Sequence, residues 1–421
     1  MSAARPTLML VAAQTPPRTP ASGGFGAVAV RTLADGGDFA ARLRAAAGMA
    51  RDAGRDWLAF TGTGESLADD ALDLVAPALD LFDAIFGAVH RRGSPDKVER
   101  PSRLAFDDAA MLPHALLNWW VPQAHFVRPA TALAALERVP EGTADSFLSY
   151  LFALWSDGRC LKSAQPLLEV DERPRPLSGA GRETVLARLE ARPVDVPVQY
   201  GETRYVLPYT GRNPGIEREQ TRGQFFEAME LEALRLLAPA APCVVDVGAN
   251  TGNHTVFFAG PMRAKMVVPL EPLPRAVSAL RHAVSRNGLA NVDLSRLGIG
   301  ASDREGRAGF VLSERGGLGS TGLRTEAAGE IRVSTLDRLV PEHVDVLKID
   351  VEGMEMEVLA GAAGLIERCR PLIFIEIANR NMPAFSAWLE RSAYRVERIF
   401  TDKGHANFIV MPRESATISE A

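Results

Sequence analysis

The run Val244-Val245-Asp246-Val247-Gly248-Ala249-Asn250-Thr251-Gly252-Asn253-His254 constrains the chain more than any other stretch. A β-branched run, a turn carrying two glycines and the start of an apolar helical pattern form the strand–turn–helix junction where open α/β sheets bind ligands, at the carboxyl ends of their strands. Further apolar runs of strand length lie at Met266–Leu270, Val292–Leu297, Val344–Ile349 and Leu372–Ile377, separated by helical patterns. Such βαβ repetition predicts a doubly wound, mostly parallel sheet. The junction is not built for a pyrophosphate. Against G-x-G-x-x-G, positions 248, 250 and 253 read Gly, Asn and Asn, so two of the three glycines that admit a dinucleotide are missing. Glu271 instead closes the next strand, twenty-one residues beyond Asn250, where a carboxylate accepts the hydroxyls of a ribose. The combination calls for a nucleoside without phosphates, and S-adenosylmethionine is such a ligand.

A chain of 421 residues is long enough for two domains. The proline-, arginine- and glycine-rich segment Asp171–Pro197 reads as the boundary. Upstream, a strand at Leu8–Ala12, an alanine-rich helix at Phe39–Ala53, the apolar run Trp57–Phe60 and a helix at Leu67–Leu81 alternate as α/β. Downstream, Val196–Tyr200 and Arg204–Leu207 make a hairpin, and Gln224–Leu237 an amphipathic helix. The expected organisation is an N-terminal α/β domain over 1–172, a linker over 173–195 and a second α/β domain over 196–421. A net charge of −5 supplies no cationic field, so nucleic acid is not expected as a partner. Three scattered cysteines (Cys160, Cys243 and Cys369) support neither a disulfide framework nor a zinc site. The apolar run Leu8–Ala13 is too short to span a bilayer. These features fit a cytoplasmic protein with no transmembrane segment; self-association into a homo-oligomer stays open.

Strand alternation through Lys348-Ile349-Asp350-Val351-Glu352-Gly353 puts Lys348, Asp350 and Glu352 on one side, at a strand tip beside the glycine turn. Two close carboxylates raise the pKa of one, so Asp350 is the first candidate for a general base. Glu376, closing the next strand, is the second, and His254, at the helix start, the third; a histidine acts as a base only with a positioned partner. The competing reading makes Asp350 and Glu352 caps of the helix that follows. An oxygen-only set at this spacing also suits Mg²⁺, although no metal is assigned.

Three of these stretches, VVDVGANTGNHT, LEPLP and VDVLKIDVEGMEMEVLAGA, resemble the FkbM family of S-adenosylmethionine-dependent methyltransferases, a branch of the Rossmann-like superfamily. The resemblance covers Val196 to Pro412 and implies a mostly parallel, seven-stranded sheet. It also implies that Asp246, Gly248, Ala249, Asn250 and Gly252 line the methionine end of S-adenosylmethionine, Glu271 holds the ribose, Ser302 and Asp303 lie by the adenine, and Asp350 faces the cofactor. Glu227 matches an acid of the helix before the first strand, and Asn407 a position of the last. The glycine-rich loop Ser313–Thr325 would act as a lid. The N-terminal half is similar, in degraded form, to family 2 glycosyltransferases, with Gly62 and Gly64 at the metal-binding aspartate positions and Asp145 at the base position. That implies a non-catalytic sugar-binding or docking module, in which Trp119-Trp120 could stack on a sugar. The expected function is O-methylation of a hydroxyl on a saccharide-containing or secondary-metabolite acceptor. The alternatives are a bifunctional glycosyltransferase and methyltransferase, or a non-catalytic scaffold for glycan synthesis.

Overall fold

The computed structural model describes residues 5–12, 23–33, 38–62, 64–99, 112–118, 125–139, 146–172, 177, 179–312, 321–325 and 329–413. Asp145, Trp119-Trp120 and residues 313–320 of the expected lid lie outside them. The chain forms two compact units, Met1–Ala187 and Arg188–Ala421. The helix Gly179–Ala191 occupies much of the segment expected to be a linker.

The first unit holds eight strands: β1 (Thr7–Ala12), β2 (Ala27–Thr32), β3 (Trp57–Thr61), β4 (Glu65–Leu67), β5 (Ala84–Arg91), β6 (Ser94–Glu99), β7 (Phe126–Val127) and β8 (Cys160–Val170). They form one sheet in the order β2-β1-β3-β7-β5-β8-β4, with β6 on β5. β1 runs parallel to β2 and β3, whereas β7 is antiparallel to both β3 and β5. One face buries Leu8, Leu10, Trp57, Ile85, Phe126 and Leu167. Beyond β3, the Gly62 N–H donates to Glu65 Oε2 at 2.7 Å. The acid next to the two glycines is thus folded back onto the turn's own backbone.

The second unit begins with the hairpin β9 (Val194–Tyr200) and β10 (Thr203–Tyr209). Its main sheet has six strands: β11 (Cys243–Val247), β12 (Met266–Leu270), β17 (Val346–Ile349), β18 (Leu372–Ala378), β19 (Tyr394–Thr401) and β20 (His405–Pro412), in the order β12-β11-β17-β18-β20-β19. Four strands run parallel, then β20 pairs antiparallel with both β18 and β19. The sheet is therefore mixed and six-stranded, which corrects the expected mostly parallel, seven-stranded sheet on two counts. β19 and β20 are joined by a turn of three residues, too short for the crossover that parallel pairing demands. The expected strand at Val292–Leu297 yields one bridge, Val267 to Val292, and a short 3₁₀ turn at Leu294–Arg296. The chain then enters a separate four-stranded sheet formed by β13 (Ile299–Ala301), β14 (Gly306–Leu312), β15 (Thr321–Thr325) and β16 (Ile331–Ser334), ordered β13-β16-β14-β15.

The parallel centre of the main sheet reads as buried valine, leucine and isoleucine on both faces, as a sheet covered by helices requires. All these strand tips point to one edge, and the polar side chains of Asp246, Lys348, Asp350, Glu271 and Glu376 gather there.

Candidate active site

The turn after β11 is held mainly by backbone. Gly248 and Ala249 N–H groups both donate to Leu270 O, at 2.9 and 3.1 Å, tying the turn to the tip of β12. Gly248 adopts a φ of +77°, and a Cβ there would overlap the carbonyl oxygen of Asp350, so β11 and β17 converge at a spacing only glycine allows. Asn250, at a φ of +50°, turns its N–H to Glu271 Oε2 at 2.8 Å, while Leu273 N–H donates to Oε1 at 2.8 Å. Each Glu271 oxygen thus accepts one N–H, and the residue lines the cleft. Burial pushes its carboxyl up to about 7, against the opposing pull of those two N–H groups.

Lys348 clamps this arrangement from beneath. Its ammonium is almost wholly buried, donates to Gly248 O at 2.8 Å, and lies 3.2 Å from Asp246 Oδ1 and 3.6 Å from Asp350 Oδ2. Burial opposes its charge, but Asp246 and Asp350 more than compensate and raise its pKa. Asp246 has no exposed surface and accepts Thr255 Oγ–H at 2.6 Å. It shapes the turn from below.

The cleft above is open at its mouth and lined by residues at the ends of β11, β12 and β17. Gly248 and Asn250 form one end, Glu271 the middle, and Ile299, Gly300 and Ala301 with Phe310 the other. Asp350, whose carbonyl abuts Gly248, and Glu352 also line it. Of the residues expected at the methionine end, Asp246, Ala249 and Gly252 do not line the cleft. Ala249 packs on Leu280 and Val284, and Gly252 lies against Leu280 and Ala283. Ser302 and Asp303 sit one step past the lining. Ser302 is buried where Gly361, at the end of the helix Glu355–Gly361, closes on its carbonyl, and Asp303 turns outward.

Beyond the Asp350 wall lies an acidic cluster. One carboxylate oxygen each from Asp350, Glu352 and Glu376 falls within 4.8 Å of the others, close enough to share a divalent cation. Burial, then Asp350 and Glu352, push Glu376 up to about 10, while burial and Asp350 bring Glu352 to about 7. Burial raises Asp350 as well, against the pull of Lys348. Neither Asp350 nor Glu352 caps the helix that follows. Met354 stands at its N-cap without a side-chain bond, and the buried Glu355 instead braces the turn by accepting the Gly353 N–H and the Asn381 amide. His405 Nε2 stands 3.4 Å from Glu376 Oε2.

The structure adds His254, Glu227 and Asn407 to this edge. His254 Nε2 lies 3.1 Å from Glu227 Oε2, and Asn407 Nδ2 donates to Glu227 Oε1 at 2.7 Å. Sequence reasoning passed over Glu217, for which nothing in the sequence was a signal. It accepts Thr210 N–H at 2.6 Å, Thr210 Oγ–H at 2.7 Å and Gly211 N–H at 3.0 Å, fixing the strap from which Asn213 donates to Asn250 Oδ1 at 3.1 Å.

Comparison with family models aligns this region as a unit. Residues 246–404 match the methyltransferase FkbM domain. The matched region spans the turn, Glu271 and the acidic cluster, leaving out Glu227 and Asn407, and supports a methyltransferase. No curated protein matches the chain. Among solved structures, the chain resembles an rRNA methylase from Streptococcus thermophilus, at 15% identity over 45% of this chain and 96% of that one, with a TM-score of 0.31. It also resembles methyltransferase FkbM from Methylobacillus flagellatus KT, at 19% identity over 44% of this chain and 52% of that one, with a TM-score of 0.30. TYW2 from M. jannaschii, solved in complex with AdoMet, aligns at 14% identity over 52% of this chain and 85% of that one, with a TM-score of 0.28. The functional reading rests on the FkbM domain and its site. No helix of the described residues is long and apolar enough to cross a membrane.

Proposed function

We propose that the protein is an S-adenosylmethionine-dependent O-methyltransferase acting on a hydroxyl of a saccharide-containing or secondary-metabolite acceptor. The observation that carries this reading is Glu271. Its carboxylate is fixed by the Asn250 and Leu273 N–H groups and faces the middle of a cleft with a glycine turn at one end and an apolar end at Ile299–Ala301. A cofactor with methionine, ribose and adenine in that order matches the lining from Gly248 through Glu271 to Ala301. Ribose hydroxyls would donate to Glu271, the amino-acid end would meet the backbone of the Gly248–Asn250 turn, and the base would lie against Ile299 and Ala301. The methyl donor supplies an electrophilic carbon on a sulfonium, so the protein's part is alignment and removal of a proton. Asp350, Glu352, Glu376 and His254 are the groups at that edge suited to the second task.

The first unit is proposed to be a non-catalytic saccharide-binding or docking module. Gly62 stands directly after β3, at a position where the resembled glycosyltransferases carry a metal-binding aspartate, and Glu65 accepts the turn's own N–H. Two measurements test the whole reading. Calorimetry with S-adenosylmethionine is expected to show micromolar binding, and the absence of heat at millimolar cofactor sinks the enzyme. Mass spectrometry of glycans and metabolites from cells with and without the gene is expected to find one species that loses a methyl group.

A further inference from the structure

Glu227 joins Asn250 and Glu352 as a non-glycine residue of the site with a left-handed backbone. It precedes the helix Ala228–Leu237 with φ +57° and ψ +40°, the left-handed region that non-glycine residues avoid, and its side chain does not cap the helix it introduces. Strain of this kind persists where the surroundings over-determine it. Here they do, because the carboxylate is turned inward and nearly buried, with Oε1 accepting the Asn407 amide at 2.7 Å and Oε2 lying 3.1 Å from His254 Nε2, both partners distant in sequence. Asn407 is itself fixed in register, opposite Glu376 in the β18–β20 pair. His254 sits in the first turn of the helix Asn253–Ala259, its ring wedged between Phe258 and Phe374 at centroid distances of 6.1 and 6.2 Å.

We infer that His254 is the base of the methyl transfer and that Glu227 and Asn407 are its positioning residues. The inference rests on the O-methylation reading and deepens it. As the acceptor oxygen attacks the methyl carbon, the O–C bond forms and the C–S bond breaks, its electron pair staying on sulfur. The hydroxyl proton passes to His254 Nδ1, and the imidazolium so formed is neutralised by Glu227 across Nε2. Asp350 and Glu352 line the cofactor cleft, and Asp350 is paired with Lys348, whereas His254 has a carboxylate partner of its own apart from that lining. Glu227 stays ionised. Burial opposes its charge, but His254, Asn407 and Lys348 hold it below the usual carboxylate range.

The test is long-range proton–nitrogen NMR of the histidine rings in the full chain, with His254 assigned by its loss in His254→Gln. In the wild type the ring is expected as the Nε2–H tautomer with Nδ1 bare. Glu227→Gln, whose amide can donate to Nε2, is expected to shift His254 toward Nδ1–H, while Glu227→Asp retains the wild-type form. An unchanged tautomer in a folded Glu227→Gln that still binds S-adenosylmethionine overturns the relay. In cells, Glu227→Gln and His254→Gln are each expected to cut the methylated product by about a hundredfold, with cofactor affinity within about twofold of wild type. Product at wild-type level in either variant also overturns it. Failure of the wild type to bind S-adenosylmethionine sinks the enzyme reading instead, and the tautomer measurement still decides whether Glu227 positions His254.

Discussion

In the proposed reading one buried charge, Glu271, serves a ligand, while another, Lys348, serves the fold. Glu271 is held by two N–H groups yet pushed up to about 7 by burial, so the apo protein loses its charge as pH falls through neutrality. Ribose hydroxyls donate best to the ionised form. S-adenosylmethionine affinity is therefore expected to be flat at alkaline pH and to weaken as pH drops below about 7, and calorimetry of Glu271→Gln should lose that part of the slope along with about 1–3 kcal/mol of binding. A pH profile in Glu271→Gln matching the wild type would show that another group controls it. Lys348 is not itself a lining residue but holds Gly248 and Asp350, which are, from beneath. Replacing it with methionine strands Asp246 and Asp350 beneath the turn, and chemical denaturation is expected to register a loss of about 3–5 kcal/mol. Both residues were legible because strand alternation and strand ends fix where such side chains point. The part of Glu227 was not, because a helix acid turned inward by a left-handed backbone leaves no periodic trace, and its partner Asn407 lies far away in sequence.

At the scale of elements, the strand–turn–helix junction was the most legible piece. Val244–Val247 is apolar on both faces except for Asp246, and the structure places β11 second from the sheet's edge, between β12 and β17. The outer strands were less so. Nothing in Ile299–Ala301 tells a reader whether a three-residue strand joins the main sheet or leaves it, since that depends on β16 offering β13 another partner. The two glycines of the junction allow a graded test. A Cβ at Gly248 would overlap Asp350 O, a backbone atom of the neighbouring strand that cannot yield without parting β11 from β17. At Gly252 the φ is +95°, but a Cβ would meet the Leu280 side chain at 3.3 Å, a contact that a small shift relieves. Gly248→Ala is therefore expected to abolish cofactor binding and lower the melting temperature of the second unit sharply. Gly252→Ala should cost only the backbone strain, about 1–2 kcal/mol, and retain binding. Equal damage from the two substitutions would mean that the approach of Asp350 is not what fixes Gly248.

At the scale of the whole molecule, the two units bury ionisable groups of opposite kind. In the first, burial depresses His125 to about 3 and His114 to about 4, from an ordinary 6.5. Each is neutral when folded and takes up a proton on unfolding in mild acid, so their contribution is complete above about pH 6.5 and is lost as pH falls toward 4. In the second, burial raises Glu271 and Glu352 to about 7 and Glu376 to about 10, from 4.5. These carboxyls hold protons that the unfolded chain releases, so their contribution is complete below about pH 4.5 and is lost as pH climbs through 7. Glu227 acts the other way, but only below its ordinary 4.5, and Lys348 only above its ordinary 10.5, so neither reverses the sign in between. Moving from about pH 5 to about pH 8 should therefore stabilise the first unit and destabilise the second. Hydrogen exchange followed by mass spectrometry, read on peptides from β3 and β5 for one unit and from β11 and β17 for the other, resolves the two. Slower exchange in the first set together with faster exchange in the second, after correction for the intrinsic pH dependence of amide exchange, is the expected result. Movement in the same direction would mean that the buried carboxyls of the FkbM domain are solvated or paired at this edge in a way that removes the cost of their charge, and S-adenosylmethionine, by favouring ionised Glu271, should shrink the effect in the second unit alone.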